Sequence, residues 1–215
     1  IAYYNAFGWK LSKPYFLLFD HILLRRAKRS FILANSMYTL SCYTKVGAKG
    51  SVVYYPCEID GLGPALSKKN LVVSVGTISP YKQHEDILKI ARLLSDTRFV
   101  IIGKLNDRRY YHKLVKSRPK NCSIMVNAPR AIVRDVLAHA KVYIHARQGE
   151  SFGVAAIEGM ASGCVPVVRD SGALRETVIE DVGFRWRSNE EAAEYIKEVL
   201  SNEGMRKEKA RKSIE

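Results

Sequence analysis

The sequence is short of cysteine and of long apolar runs, and each shortage excludes a class of protein. Its 215 residues contain four cysteines, at positions Cys42, Cys57, Cys122 and Cys164. They form no C-x-x-C pair and no cluster with histidine, which excludes a disulfide scaffold, argues against a zinc site and favours reduced thiols in a cytosolic-type compartment. The most apolar N-terminal stretch, residues 15–24, is interrupted by Asp20 and His21. It is too short to span a bilayer and lacks the flanks of a signal peptide.

Short motifs that would specify a cofactor are also missing. There is no D-x-D or H-E-x-x-H to hold a metal ion, and neither a G-x-G-x-x-G dinucleotide loop nor a P-loop occurs. Acidic residues are fewer than basic ones: the sequence has 21 Asp and Glu and 35 Lys and Arg, which gives a net charge of +14. Hydrophobic residues make up 47%, which is typical of a globular chain. A negatively charged ligand or surface is the expected partner.

From residue 71 onward, apolar runs of strand length alternate with helical patterns. The runs fall at residues 71–75, 99–102, 124–126, 142–144 and 165–168, with a weaker one at 183–186. Strands that alternate with helices predict a doubly wound α/β domain, in which helices cover both faces of a parallel sheet. Such sheets bind ligands at the carboxyl ends of their strands.

The first 66 residues follow a different pattern. We predict a helix over residues 15–29, strands over 31–34 and 52–55 with a helix between them, and a linker over 56–64. Two strands and two helices are too few to close a core of their own, and the chain does not begin with Met. We therefore expect residues 1–66 to be the tail and linker of an upstream domain. Residues 67–200 would form the ligand-binding domain, and 201–215 a C-terminal helix or tail.

The strongest candidate site lies in residues 142–158, which read as a buried strand, a polar turn with two glycines and a helix of small residues. The backbone N–H groups around Phe152, Gly153 and Val154 would stand at the helix start, where they and the helix dipole favour a phosphate. Gly153 would let a ligand approach the backbone closely. The turn therefore predicts an anion site.

Two carboxylates flank that turn. Glu150 lies in the turn and Glu158 lies two turns into the helix, at most roughly 12 Å apart at 1.5 Å per residue. This distance is comparable to that from a hexose, across a diphosphate, to a ribose, and carboxylates pair well with sugar hydroxyls. Either glutamate alone fits a solvated crossover loop better, whereas the whole constellation favours a binding function.

The same stretch also matches the nucleophile elbow of an α/β-hydrolase. The match is Gly149-Glu-Ser151-Phe-Gly153. In that fold the base histidine follows the serine in the chain, but all five histidines here precede Ser151. The hydrolase interpretation lacks its base and stays a minor alternative.

Two further loops would reach the same edge of the sheet. Gly76 ends the strand at 71–75, and Lys82 follows it closely enough to reach a phosphate there. Residues 170–176, the sequence DSGALRE, form a turn and a helix after the strand at 165–168. Each loop alone would fit an ordinary turn.

These motifs together carry a family resemblance. The E-x7-E string from Glu150 to Glu158, continued by GMASGCVPVV and SGALRE, resembles the C-terminal, donor-binding domain of GT-B glycosyltransferases, and in particular the retaining family 4. Residues 32–36 and 55–56 resemble the last units of that family's N-terminal domain. The resemblance implies a Rossmann-like doubly wound sheet with a partial second domain.

The resemblance also implies a reaction in which a nucleotide diphosphate sugar, GDP- or UDP-linked, gives its sugar to a hydroxyl acceptor with retention. Glu150 would contact the donor sugar as the catalytic residue, and Glu158 would hold the ribose. The implied substrate-binding residues, besides Glu158, are Gly76, Thr77, Lys82, Ser151, Phe152, Gly153 and Val154. No cofactor and no metal ion are implied. Without most of the acceptor domain, this stretch of chain would bind donor but not turn over.

The sequence departs from the family pattern near Lys82. Thr77 stands where the family usually has an arginine, and Gln83 stands where it usually has a glycine. One phosphate-neutralising charge is therefore missing, and Arg147 or Arg175 would have to replace it. The departure keeps open a non-catalytic nucleotide-sugar-binding module.

A run of basic residues marks a second surface. Residues 104–120 carry seven lysines and arginines, opposed only by Asp107. A solvated helix face is the simplest interpretation. An anionic membrane surface that presents a lipid-linked acceptor is a second one, which would place the protein in the cytoplasm, peripheral to the cytoplasmic face of a membrane. A nucleic-acid-binding α/β domain is a third, but without a recognition motif no nucleic acid is expected.

Overall fold

A computed structural model describes residues 21–23 and 25–214, and the chain divides into two compact units after Tyr55. In the first unit, residues 21–23 and 25–29 are helical, and the rest of the helix predicted over 15–29 lies outside the described residues. The elements that follow are β1 (Phe31–Ala34), α1 (Met37–Thr44) and β2 (Lys49–Val52). Strands β1 and β2 pair in parallel.

The strand predicted over residues 52–55 was wrong, because β2 lies three residues earlier. Its segment Lys49-Gly-Ser-Val is too polar to resemble a strand, yet it pairs with β1 from Phe31 to Ala34. Gly50 allows the close approach, since a Cβ there would lie 2.3 Å from the carbonyl oxygen of Ile32. Hydrophobicity alone pointed to Val53 and the two tyrosines after it, which are more than half exposed.

The second unit contains a six-stranded parallel sheet in the order β5-β4-β3-β6-β7-β8. The predicted α/β fold, a Rossmann-like parallel sheet with helices on both faces, is confirmed. Its elements are β3 (Lys69–Val75), α2 (His84–Leu93), β4 (Arg98–Gly103), α3 (Arg108–Ser117), β5 (Cys122–Val126), α4 (Arg130–His139), β6 (Ala140–His145), α5 (Val154–Ala161), β7 (Val165–Arg169), α6 (Leu174–Thr177), β8 (Phe184–Trp186), α7 (Asn189–Ser201) and α8 (Glu203–Ile214).

Alternate strand residues build a core on each face of this sheet. Val72, Ile101 and Ile144 belong to one buried cluster, and Val73 and Tyr143 belong to the other. Successive side chains of a strand point to opposite faces, so strands buried on both sides become continuous apolar runs. This is why five of the six strands stand out in the sequence as stretches made mostly of apolar residues. None of the helices among the described residues combines the length and hydrophobicity that a bilayer crossing requires.

The strand order places a switch point between β3 and β6. The chain builds outward from β3 through β4 to β5, then returns to add β6 on the other side of β3. The loop after β3 and the loop after β6 therefore leave neighbouring strand ends in opposite directions, which opens a crevice at the carboxyl edge of the sheet. Lys82 lies in the loop after β3, and Glu150 lies in the loop after β6.

Lys68 fastens the opposite, amino edge of the sheet. Its Nζ donates to the carbonyl oxygens of Ala140 at 2.9 Å, Ser162 at 2.6 Å and Leu137 at 3.4 Å. These carbonyls end α4 and the turn after α5, where helices leave acceptors unpaired. One ammonium group thus joins the segments that lead into β3, β6 and β7, and its burial lowers the pKa of Lys68.

Replacing Lys68 by methionine should destabilise the domain by about 2 kcal/mol, because it leaves partly buried carbonyl groups without a donor. Urea unfolding followed by circular dichroism would measure the loss. Lys69→Met is the matched control, since Lys69 is exposed and the change should cost less than about 0.5 kcal/mol. Equal effects of the two substitutions would contradict this role for Lys68.

Candidate functional site

An ion pair joins the two loops at the switch point. Lys82 ends a short 3-10 turn, Pro80–Lys82, after β3, and Glu150 lies in the loop between β6 and α5. The Lys82 Nζ lies 2.8 Å from Glu150 Oε2, and the two side chains are only 17% and 8% exposed. The structure therefore brings together two predicted site residues that are 68 positions apart in the chain.

Glu150 is held by three further donors. His145 Nε2 lies 3.2 Å from Oε2, Arg147 Nη1 lies 3.2 Å from Oε1, and the N–H group of Ser151 donates to Oε1 at 3.1 Å. Burial opposes ionisation of this carboxyl, but the hydrogen bonds from His145 and Lys82 outweigh it and hold the pKa of Glu150 far below its usual range. The side chain is thus a fixed carboxylate at neutral pH.

The two histidines near this carboxylate are uncharged. Burial lowers the pKa of His145, more than the hydrogen bond to Glu150 raises it. Burial, with the charge of Lys82 nearby, lowers the pKa of His84 to about 4. In the described part of the chain the Nδ1 atom of His84 has no hydrogen-bond partner, which also favours a neutral ring. We call Lys82, His84, His145, Arg147 and Glu150 the cluster. At neutral pH its charged groups are therefore Lys82, Arg147 and Glu150.

A third loop supports the turn that carries Glu150. The N–H group of Ala173 donates to the carbonyl oxygen of Glu150 at 2.8 Å, and Ser171 Oγ accepts from the N–H group of Gly149 at 2.9 Å. A side chain at position 172 would place its Cβ 2.4 Å from the Glu150 oxygen, so Gly172 is needed there. The N–H group of Ala173 is thus used to hold the turn that carries Glu150.

Arg169, at the end of β7, contacts the loop that carries Glu150. Its Nε donates to the carbonyl oxygen of Ala146 at 3.1 Å, it pairs with Asp86 of α2, and its guanidinium lies 4.0 Å from the centre of the Trp186 ring. Sequence reasoning missed these residues, because nothing in the sequence indicates that β7 and α2 meet there.

Helix α5 begins at the predicted place. Gly153 is its N-cap with a φ of 94°, a left-handed conformation that glycine adopts without strain. The N–H groups of Val154 and Ala155 lack an acceptor within the helix, as at the start of any helix, whereas Ala156 and Ile157 donate to the carbonyl oxygen of Gly153. Phe152 and Gly153 precede the helix, and Phe152 is 94% buried, with 6% of its surface exposed. Of the three predicted donors, Val154 therefore lies in the first turn and the other two in the loop.

Glu158 lies apart from the cluster and pairs with Arg130. The Nη2 atom of Arg130 is 2.5 Å from Glu158 Oε1, and the Glu158 side chain is 13% exposed. Arg130 also lines a pocket of about 420 Å³ at the carboxyl ends of β3 and β4, together with Val75, Gly76, Ile102, Gly103 and Asn127. Gly76 was the only one of these residues that the sequence indicated, because Arg130 belongs to none of the recognised motifs.

The departures near Lys82 have visible consequences. Gln83 has a φ of 55°, a left-handed conformation in which glycine would be unstrained, and its Oε1 accepts from the N–H group of Gln148. The nearby side chains of Thr77 and Ser79 lower the pKa of the Tyr81 phenol. Arg175 is paired with Asp170 at 2.8 Å, whereas Arg147 stands beside Glu150.

Four of the seven basic residues of the run at 104–120 lie on helix α3, and the other three flank it. In α3, Tyr110 and Leu114 are buried against the sheet, and Asp107 caps the helix by accepting from the N–H group of Tyr110 at 2.9 Å. The seven basic side chains are exposed; they are Lys104, Arg108, Arg109, Lys113, Lys116, Arg118 and Lys120. One of them, Lys113, pairs with Glu85 at 3.3 Å.

Comparison with known proteins places the second unit in a family. The family model described as glycosyl transferases group 1 matches residues 63–215. Among curated relatives, the Homo sapiens protein named GDP-Man:Man(3)GlcNAc(2)-PP-Dol alpha-1,2-mannosyltransferase is 27% identical over 241 aligned positions, covering 97% of this chain and 49% of its own length. Its Dictyostelium discoideum namesake is 28% identical, over 70% of this chain and 35% of its own. The chain spans about half the length, or less, of these relatives.

Solved structures agree on the fold. Anabaena HepE, crystallised with UDP and glucose, superposes with a TM-score of 0.81 at 18% identity, covering 90% of this chain and 60% of its own. The C-terminal domain of LpcC, a glycosyl transferase group 1 family protein from Francisella tularensis, covers 74% of this chain and 95% of its own with a TM-score of 0.60 at 18% identity. At these identities the likeness shows a common fold.

The buried His84 should make stability depend on pH. Its pKa is about 4 when folded against an ordinary value of 6.5, so its contribution is complete above 6.5 and is lost as the pH falls from 6.5 toward 4. Between pH 7.5 and 5, the free energy of unfolding should fall by roughly 2 kcal/mol less in His84→Gln than in the unmodified chain. Urea unfolding at both pH values measures this difference.

His112→Gln is the control for that experiment. His112 is exposed, so its replacement should leave the pH dependence unchanged. His145 contributes with the same sign, because its pKa is also lowered by burial, and part of the dependence should persist in His84→Gln. An identical pH dependence in His84→Gln and the unmodified chain would show that His84 is not buried as a neutral ring.

Proposed function

The chain belongs to the glycosyl transferases group 1 family, and from this premise we propose that it takes part in moving a sugar from a nucleotide diphosphate sugar to a hydroxyl acceptor. The observation that carries the proposal is the ion pair of Lys82 and Glu150 at the switch point of the sheet. Two loops converge there to hold a fixed carboxylate and an excess of positive charge beside a helix start, which suits a sugar attached to a diphosphate.

The donor would lie across the carboxyl edge of the sheet. Its base would occupy the pocket of about 420 Å³ beside Gly76 and Arg130, and its ribose hydroxyls would donate to Glu158. The diphosphate would lie between Lys82 and the first N–H groups of α5, near Thr77, Ser151 and Val154. The sugar would face Glu150. Glu158 can keep Arg130 on one oxygen and accept a hydroxyl on the other, since a carboxylate has several acceptor sites.

The main electrostatic task in such a reaction is to stabilise the negative charge that grows on the leaving diphosphate. Lys82, only 17% exposed, is placed for that task in surroundings where charges interact more strongly than in water. Glu150, ionised and held by four donors, would accept hydrogen bonds from the hydroxyls of the sugar near the reacting carbon. We propose that side chains, with no metal ion and no cofactor, carry this charge.

We further propose the retaining, family 4 type of reaction, because the E-x7-E string and the loops around it resemble that family. The functional division follows the same resemblance: residues 1–66 as the tail of an acceptor-side domain and linker, 67–200 as the donor domain, and 201–215 as its C-terminal helix. One alternative is a non-catalytic module that only binds the donor.

Glu158→Ala should weaken the binding of a nucleoside diphosphate by about tenfold, because hydrogen bonds to a charged group are worth about 1.5–3 kcal/mol. Isothermal titration of the 215-residue chain with GDP and UDP measures this loss. The dideoxy forms of the same nucleotides, which lack the ribose hydroxyls, should bind the unmodified chain and Glu158→Ala with nearly equal affinity.

Glu194→Ala is the matched control, because Glu194 is exposed on α7. It should bind both nucleotide forms as the unmodified chain does. If the unmodified chain bound neither GDP nor UDP, the donor site would be wrong. If Glu158→Ala lost the same affinity for the ribose form as for the dideoxy form, the role of Glu158 would be wrong and the donor site would stand.

Among donors and acceptors we propose GDP-mannose and a lipid-linked glycan. Curated relatives are named for GDP-Man and for a dolichyl diphosphate-linked acceptor, and another, from Acholeplasma laidlawii, is named a processive diacylglycerol alpha-glucosyltransferase. The exposed basic face of α3 would hold the domain at an anionic membrane surface, on the cytoplasmic side, where such an acceptor lies. Residue Lys113 of that face is partly neutralised by Glu85, whereas Arg109 and Lys116 are exposed to solvent.

Reversing two charges of this face, Arg109→Glu with Lys116→Glu, should weaken binding to vesicles that contain phosphatidylglycerol by more than about tenfold, since each surface charge is worth about 1 kcal/mol. Co-sedimentation with such vesicles measures the change. Vesicles of phosphatidylcholine alone should bind neither protein.

A control with the same net charge is Lys197→Glu with Lys207→Glu, at exposed positions of α7 and α8. It should bind the anionic vesicles nearly as the unmodified chain does. An equal loss in both variants would point to net charge rather than to this face. Salt-sensitive binding to an oligonucleotide, with no binding to vesicles, would favour the nucleic-acid alternative.

A further inference from the structure

Two cations share the single carboxylate of the cluster, one on each oxygen. Lys82 Nζ lies 2.8 Å from Glu150 Oε2, and Arg147 Nη1 lies 3.2 Å from Oε1. The neighbouring imidazoles of His84 and His145 are neutral, because burial lowers the pKa of both. The cluster therefore carries one more positive charge than negative, and an anion at the crevice would neutralise it.

The ring of Tyr81, in the loop after β3, holds Arg147 beside Lys82. Its guanidinium carbon lies 5.2 Å from the centre of the Tyr81 ring, and Lys82 Nζ lies 5.8 Å from the same centre. Both distances fall within the range of a cation–π contact. The Tyr81 ring therefore brings Arg147 and Lys82 to one place.

The other arginine that could serve is occupied elsewhere. Arg175 Nε pairs with Asp170 at 2.8 Å and the same guanidinium donates to the Asp170 carbonyl oxygen. Asp170 also pairs with Arg187. Arg147 places one nitrogen on Glu150, and 28% of its side-chain surface is exposed, so a ligand can reach this side chain while that contact remains.

We propose that Arg147 is the second diphosphate-binding cation of this site and supplies the charge that Thr77 lacks. This assignment rests on the proposed donor site and goes beyond it, since it gives a role to a residue outside the motif that defines that site. The planar guanidinium would bridge two phosphate oxygens of a nucleoside diphosphate, a geometry for which arginine is suited. Glu150 and Tyr81 would hold it in place.

The assignment predicts a loss that depends on the number of phosphates. Arg147→Met should weaken the binding of whichever of GDP and UDP binds the 215-residue chain better by about tenfold or more, since charge-assisted hydrogen bonds to phosphate are lost. The nucleoside with the same base should bind equally well to both proteins, and the monophosphate should show a smaller loss. Isothermal titration at constant salt measures the three affinities.

Two variants test whether the effect belongs to this arrangement. Thr77→Arg, introduced into Arg147→Met, should recover most of the lost affinity, because it restores a second cation beside Lys82. Tyr81→Leu should weaken diphosphate binding less in Arg147→Met than in the unmodified chain, because one of the two cations that the ring contacts has already been removed. Arg175→Met is the control and should change the affinity less than about twofold.

The possible failures can be told apart. If the unmodified chain binds no nucleoside diphosphate, the donor site itself is wrong. If it binds one, and Arg147→Met binds it equally well or loses the nucleoside to the same extent, the role of Arg147 is overturned while the donor site stands. Urea unfolding of each variant confirms that a lost affinity is not a loss of folding. Arg147→Lys keeps the charge but not the planar guanidinium, so its affinity for the diphosphate should lie between those of the unmodified chain and Arg147→Met.

Discussion

The ion pair between Lys82 and Glu150 is the contact on which the site depends. It joins the loops after β3 and β6 across the switch point of the sheet. A carboxylate buried this deeply would be costly without its partner, and the contacts of Glu150 with His145, Arg147 and the Ser151 N–H group complete its environment. The crevice therefore has a fixed negative charge at its centre and positive charges around it.

Neutral histidines and close backbone contacts keep that arrangement in place. Because burial lowers the pKa of His84 and His145, neither adds a charge that would vary near neutral pH. Gly172 lets the loop after β7 approach the backbone of Glu150 so closely that Ala173 can donate to it. The binding edge is thus formed by three loops that brace one another, which positions side chains more firmly than one mobile loop would.

Local sequence patterns predicted what depends on local structure. Continuous apolar runs located the strands of the six-stranded sheet, because a strand buried on both faces has few polar residues. Helix α5 begins and ends where small residues and Gly153 indicated. Strand β2 escaped this reasoning, since its polar residues Lys49 and Ser51 flank a glycine that only the neighbouring strand explains. There, pairing outweighed hydrophobic pattern.

The sequence by itself determined that strands alternate with helices, that Glu150 and Glu158 flank one turn, and that the chain resembles GT-B glycosyltransferases. Only the tertiary structure decided which distant residues meet: Lys82 with Glu150, Arg130 with Glu158, and Arg147 with the Tyr81 ring. The physical reason is that periodicity records which face of an element is buried, whereas contacts between loops depend on strand order. Strand order is set by packing across the whole sheet, and no single segment encodes it.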